Sequence, residues 1–472
     1  MSFVGTAMNV NCCDRANPFV ILTVGPRHLF WTTGVYYLWE LSKNYRVVLI
    51  ATDDYKNDDL FIKVFRQTGV VEILYTPLKV LLTPLNLGIF KKHYFYARKF
   101  KKLVEKYLPA LVLQYRHVYP DNLYLAHWTR KLNPSCPLIT YQLGLGSLSE
   151  DYDYRIGFIS AVRDRSKKYR LSIWLTRILL HIKIELDHLM EHYILPFLFT
   201  GSIFFPSYKK RTGKVITKSA GRNFDLYLLC KERERLLEEK RIGVLNKLFL
   251  IRHPLETVGE ECNSFLFHAE EEKMISIFPT SGFTSVFVVE QERSETEVVE
   301  HITTKWLNAI NVFREKFSGW RITWKLHPAT RSDRIWQEIT IRLRQNCPRL
   351  EVVEPEQQAL PLMVRSKIIV SDVSTVLWWA SFLKDKAAIS LDVFGYPGAE
   401  DIKDCEGIFY FDSFDKLRKA CDSNLFINAR KSSVAADADT LTSFLAKTIT
   451  KQTKDIESFH GAVCCVEEAS VA

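Results

Sequence analysis

The feature that most constrains this chain is a repetition: short, wholly apolar runs alternate with stretches of helical spacing. "FVILTVGPRHLFWTTGVYYLWELSKNYRVVLIATDD" sets the pattern. Phe19 to Val24 is apolar, a Gly-Pro turn follows, Val35, Leu38 and Leu41 keep helical spacing, and Val47 to Ala51 is apolar again. A strand apolar on both faces must be covered on both faces, and the intervening helices supply the cover, so the pattern predicts a parallel sheet. The same unit recurs at "VVEILYTPL", "ALVLQY", "PLITYQLGLGS", "NFDLYLLC" and "LFLIRHP". After "ETVGEECNSFLFHAEEEK", whose acidic, polar composition reads as an irregular connection, the alternation restarts. Six strands follow, in "MISIFPTSG", "WRITWKLHP", "LEVVEP", "IIVSDVS", "AAISLDVFGYPG" and "GIFYFDSFDKLRKAC".

At 472 residues and 47% hydrophobic, the chain is too long for one ordinary core and apolar enough for two. The expectation is an α/β protein of two doubly wound, Rossmann-like domains. Its divisions are an N-terminal extension (1–18), a first α/β domain (19–255), a linker (256–272), a second α/β domain (273–422) and a C-terminal helix and tail (423–472). Between Tyr169 and about Phe205 the sequence becomes long, aromatic and basic, with the periodicity of one or two long helices.

A formal charge of +10 predicts attraction to phosphates, nucleotides or anionic lipid surfaces. No nucleic-acid-binding motif accompanies it, so nucleic acid is not an expected partner. The ten cysteines show no CxxC spacing, and a reduced, cytoplasmic setting is the plain reading. The N-terminal stretch lacks the charged start and apolar core of a secretory signal, and no run is long enough to span a membrane. "FKKHYFYARKFKKLVEKYL" carries seven Lys and Arg against one Glu. That is a basic amphipathic helix resting peripherally on the inner face of a membrane, or a solvated helix face over a core.

Two strand ends carry candidate chemistry. In open parallel sheets, ligands bind beyond the carboxyl ends of the strands. "WKLHP" puts Lys325, His327 and Pro328 at one such end, and "IIVSDVST" puts Ser371, Asp372, Ser374 and Thr375 at another, taken to be adjacent. Hydroxyls opening a helix, opposed by imidazole and ammonium donors, suit a phosphate. Each motif alone has a bland reading, since Ser374 is also a good helix cap. The second HP pair, His253-Pro254, reads as a linker feature.

"KLHP" followed by "SDVST…WWASFLKDKAAISLD" in two similar α/β halves resembles the GT-B class of nucleotide-sugar glycosyltransferases. The nearest groups are bacterial sialyltransferase-like, capsule Kdo-transferase-like and teichoic-acid glycerophosphotransferase-like enzymes. The resemblance implies two domains facing each other across a cleft, with the donor in the second. It also implies that His327, Ser374 and Thr375 hold the phosphate of the leaving nucleotide and that Asp392 stands where the nucleotide is contacted; Lys325, Pro328 and Ser371 join the donor side from their place at the same strand ends. Sialyltransferases of this type have an acidic pair before Gly at the end of a central strand of the first half; here "YQLGLGS" has Gln142 and Leu143. The base is then expected among Glu150, Asp151, Asp153 and His28, with Arg27, Gln142 and Gly144 on the acceptor side.

No acidic pair stands at a strand end with ligand spacing, so no metal and no cofactor beyond the co-substrate nucleotide-sugar is expected. The implied function is transfer from a CMP-sugar, or else a CDP- or UDP-sugar, to a glycan or lipid-linked acceptor in surface polysaccharide or glycolipid synthesis. A non-hydrolysing sugar-nucleotide 2-epimerase is one alternative, and a catalytically inactive nucleotide- or glycan-binding homologue another.

Overall fold

All seven apolar runs of the first half become parallel strands of one sheet: β1 (Phe19–Thr23), β2 (Arg46–Thr52), β3 (Glu72–Thr76), β4 (Leu111–Tyr115), β5 (Leu138–Tyr141), then, after a small hairpin of β6 (Tyr208–Lys209) and β7 (Val215–Ile216), β8 (Leu226–Leu229) and β9 (Leu248–Leu250). The order is β3-β2-β1-β4-β5-β8-β9. The computed structural model describes residues 17–450 except 26–29, 53–54, 56–57, 77–86, 116–119, 142–158, 160, 164, 167, 171, 203–207, 210–214, 217–223, 243–244, 268–270, 281–282, 331–332, 384, 397–401, 404, 424 and 429–437.

The second half builds its own parallel sheet from β10 (Glu272–Ile277), β11 (Arg321–Lys325), β12 (Leu350–Val353), β13 (Ser366–Ser371), β14 (Ala387–Leu391) and β15 (Ile408–Phe411), in the order β12-β11-β10-β13-β14-β15. In each sheet the chain winds outward from its first strand, then returns and winds the other way. The order therefore reverses beside β1 and beside β10, and a crevice opens at the carboxyl ends of β1 and β4 and of β10 and β13.

Helices cover both faces and start where the sequence supplies caps. Asp58 accepts from the Phe61 amide at 3.2 Å, Ser294 and Glu297 form a reciprocal capping box, and Asp333 accepts from the Ile335 amide at 3.0 Å. The long aromatic segment is a helix Ile173–Leu189, a π turn Met190–Ile194 and a helix Leu195–Thr200. Leu180 of the first helix, with Ile159 and Val162 upstream of it, joins the core of the second half, where Arg163 meets Asp333 at 2.9 Å, while Phe199 of the last helix packs on the helix Leu87–Tyr107 of the first half.

The acidic connection is not irregular. Residues Pro254–Phe267 form a fourteen-residue helix, because Leu255, Val258, Cys262 and Leu266 make a buried stripe that the surrounding acids obscured. Buried Glu40, on the helix Val35–Ser42, accepts from Thr257 Oγ1 at 2.6 Å and fixes the connection to the first domain. The second Glu40 oxygen accepts from the Thr442 amide at 3.1 Å. The helix over 441–450 thus comes back onto the first domain, with Leu441 and Leu445 buried and Phe444 against Phe249.

His253 lies where the halves meet. Its ring stacks on Phe382 at 4.5 Å and 14° and meets Trp378 edge-on at 5.1 Å, while Nδ1 accepts from the Leu255 amide at 3.0 Å and so caps the connecting helix. Lys231 Nζ lies over the same Phe382 ring and donates to the Glu406 carbonyl at 2.5 Å. Among the described residues, no helix is long and apolar enough to cross a membrane.

Candidate functional site

The second sheet brings four consecutive strand ends to one edge, in the order β11, β10, β13, β14. His327 follows β11, Thr280 follows β10, Asp372 to Thr375 follow β13, and Asp392 follows β14. The expected adjacency of the HP and Ser/Thr loops is corrected here. β10 lies between β11 and β13, so the two loops stand roughly 10 Å apart at two strand spacings, with the loop Phe278–Thr280 between them. The cause is topological: the first strand of a doubly wound sheet is its central one.

That central loop is bound to β13 by a buried carboxylate. Asp372 Oδ1 accepts from Thr280 Oγ1 at 2.5 Å, from the Thr280 amide at 2.9 Å and from its neighbour's amide, Val373, at 2.9 Å. Ser371 Oγ donates to the Phe278 carbonyl, and Ser390 Oγ from β14 donates to the Asp372 carbonyl at 2.6 Å. Asp372 Oδ2 has no partner. Burial pushes the carboxyl up from its usual value to about 6, against the pull of those hydrogen bonds. Asp372 stands at the strand end where the sequence put it, but its partner Thr280 is absent from the sequence-derived site. The signal was present in "PTSG", a hydroxyl- and glycine-containing loop after the first strand of the half.

Ser374 acts as the helix cap that the bland reading foresaw, its Oγ accepting from the Val376 amide at 3.3 Å. The helix it opens, Thr375–Ala380, has only six residues, and Thr375 is half-buried at its start. Trp378, Trp379 and Phe382, in and just after it, are buried in the core that the first half shares. His327 is exposed; its carbonyl, held by Thr330 N at 2.9 Å and Thr330 Oγ1 at 2.7 Å, closes a tight turn through Pro328. Lys325 turns sideways within the sheet edge. Its buried ammonium donates to the carbonyls of Pro355, 2.7 Å, and Leu326, 3.1 Å, and burial lowers its pKa to about 8. Asp392 accepts from Tyr410 and is half-buried.

In the first sheet the equivalent crevice is tightly bound. Thr23 Oγ1 accepts from the Tyr115 amide at 3.0 Å, Tyr141 OH donates to the Thr23 carbonyl at 2.8 Å, and Tyr55 OH donates to the Gly25 carbonyl at 3.0 Å. Arg27, His28, Gln142, Gly144, Glu150, Asp151 and Asp153 lie outside the described residues; the first two follow β1 and the others follow β5. Among the described residues, no group of three His, Cys, Asp or Glu side chains could hold a metal ion.

No protein-family model matches this chain, and neither does any curated protein. Solved structures do. UGT73P12 from Glycyrrhiza uralensis, complexed with glycyrrhetinic acid 3-O-monoglucuronide, superposes with a TM-score of 0.52 over 96% of this chain and 100% of its own, at 10% identity. UDP-GlcNAc 2-epimerase from Neisseria meningitidis bound to UDP-GlcNAc gives 0.48 over 92% and 99%, at 12% identity. A glycosyltransferase from Rickettsia africae gives 0.45 over 93% and 99%, at 11% identity. At 10% identity the first of these, with a TM-score above 0.5, speaks for the fold alone. The chain has the GT-B architecture: two doubly wound α/β domains with parallel sheets of seven and six strands.

Proposed function

We propose that this protein is a glycosyltransferase whose nucleotide-sugar donor binds at the carboxyl edge of the second sheet. The observation that carries the reading is the crevice beside β10. Its two central loops are locked together by Thr280 and Asp372, and an exposed imidazole, His327, flanks them one strand away. A floor held together by hydrogen bonds, with donors at its rim, suits a phosphate whose charge grows as the bond to the sugar breaks.

In this reading the acceptor hydroxyl oxygen attacks the anomeric carbon, the bond from that carbon to the phosphate oxygen breaks, and the hydroxyl proton passes to a base from the first domain. His327 and the hydroxyls of Ser374 and Thr375 stabilise the departing phosphate, with Ser371 and Pro328 shaping the loops and Asp392 toward the nucleotide. Lys325 contributes by fixing the edge between β11 and β12. Glu150, Asp151 and His28 are the candidates for the base, and Arg27, Gln142 and Gly144 for acceptor contacts. Such donors neutralise a phosphate without a divalent ion, so the reaction is metal-independent. A CMP-sugar is favoured over a CDP- or UDP-sugar, and the acceptor is a glycan or lipid-linked molecule handled in the cytoplasm during surface polysaccharide or glycolipid synthesis.

The test is thermal stabilisation by CMP, CDP, UDP and GDP, followed by nucleotide release from the matching donor in excess EDTA. One nucleotide should raise Tm, and His327→Ala should slow release by about 100-fold, near the loss of one transition-state donor. Stabilisation by none of the four would overturn the reading. Turnover abolished by EDTA and restored by Mg²⁺ would overturn its metal independence.

A further inference from the structure

Twelve of the twenty large apolar side chains that the described residues expose lie between Ile173 and Leu198. On the helix Ile173–Leu189 they are not scattered. Leu175, Ile178, Leu179, Ile182, Leu186 and Leu189 recur at three- and four-residue intervals, so they share one face, and each is at least 37% exposed. Thr176 and Leu180, on the opposite face, are buried against the rest of the protein. The helix is thus docked by its less apolar side and turns its leucine stripe outward, the reverse of an ordinary surface helix. The stripe continues past the π turn through Phe197 and Leu198, which are 57% and 63% exposed. A contiguous apolar face of this kind marks an interaction surface.

What borders the stripe identifies its occupant. Phe199 packs against Phe90 at 4.8 Å and Tyr94 at 5.9 Å, and both belong to the basic helix Leu87–Tyr107. That helix presents Lys91, Arg98, Lys99 and Lys102 on one face, where with Tyr94 and Phe95 they line a groove of about 390 Å³. All four cations are exposed. A second copy of the chain docked about a twofold axis here would bring two basic rows together. An acidic protein would neutralise the cations but leave the leucines uncovered. An anionic bilayer satisfies both, with acyl chains under the stripe and headgroup phosphates at the groove.

We propose that the Ile173–Thr200 segment and the basic face of Leu87–Tyr107 together form a docking surface for anionic lipid membranes, holding the protein on the bilayer by one side of its first domain and its helical insertion. The surface stands independently of the transferase reading, since none of its residues belongs to the candidate site.

Flotation of the full chain with phosphatidylcholine vesicles, with and without phosphatidylglycerol, tests it. Binding should require the anionic lipid and weaken in high salt. Leu179→Glu/Leu186→Glu and Lys99→Glu/Lys102→Glu should each reduce partitioning by at least about tenfold, from lost apolar burial and reversed surface attraction respectively. Both pairs are exposed, and unchanged Tm and nucleotide binding will show that the fold and the candidate site are intact. Absence of binding to either vesicle overturns the proposal. So does a native dimer that Leu179→Glu/Leu186→Glu converts to monomer by sedimentation velocity, which would assign the stripe to a second copy of the chain.

Discussion

Asp372 is the residue at which stability and the candidate site conflict. One oxygen holds four hydrogen bonds and the other holds none, in full burial. A carboxyl whose pKa rises on folding, here from 3.8 to about 6, binds its proton more tightly in the folded state. The stabilisation is therefore complete below the unfolded value and is lost as pH rises through the folded one. At neutral pH the ionised group costs the fold about 3 kcal/mol. Asp372→Asn should therefore gain on the wild type by about that amount between about pH 4 and about pH 7.5. Denaturant titrations of both proteins across that range check it; a difference that does not change with pH would show that Asp372 is not the titrating group. At this scale the sequence disclosed residue types and not directions. His327 and Ser374 could be placed at strand ends, because strand and turn signals are local. The turning of Lys325 toward Pro355, and the grip of Asp372 on Thr280, depend on which strand lies next to which, information the local pattern does not carry.

Strands and helices were the most legible level. All thirteen strands of the two large sheets coincide with apolar runs, since strands of covered parallel sheets keep apolar residues at most positions and few polar ones interrupt the pattern. The helix Pro254–Phe267 was missed because its buried stripe of four residues lies among Glu256, Glu260 and Glu261. What sets that helix in place is remote in sequence. Glu40 reaches Thr257 with one oxygen and Thr442 with the other, so a single buried carboxylate joins the helix Val35–Ser42, the connection and the helix over 441–450. Hydrogen bonds to a charged group contribute about 1.5–3 kcal/mol each, and burying them unpaired costs more. Glu40→Ala should destabilise the protein by about 3 kcal/mol or more. It should also release the C-terminal helix first, seen as early loss of amide protection over 441–450. Retention of that protection in Glu40→Ala would show that Leu441, Leu445 and Phe444 hold the helix by packing alone.

The two halves join through aromatic burial around a histidine, and this gives the whole molecule an acid limit. Trp378 and Phe382, from the segment after the Ser/Thr loop, close on His253 at the start of the connecting helix. The same short segment therefore positions the candidate site and joins the domains. Burial, aided by the Lys231 charge, lowers the His253 pKa from 6.5 to about 3, and burial lowers that of His93 to about 4. For a histidine kept neutral by folding, the stability is fully present above the unfolded value. It is lost as pH falls from about 6.5 toward the folded value, because only the unfolded chain takes up the proton. Each such group contributes a slope of about 1.4 kcal/mol per pH unit. His253→Phe keeps an aromatic ring against Phe382 and removes both the titration and the Nδ1 cap. At about pH 8 the variant should be less stable than the wild type by about 1 kcal/mol, the usual worth of a helix cap. By about pH 5 that deficit should vanish or reverse, as the wild type alone resists protonation in the fold. Unfolding free energies measured by denaturant at the two pH values decide it, and parallel losses in variant and wild type would move the acid sensitivity away from the junction between the halves.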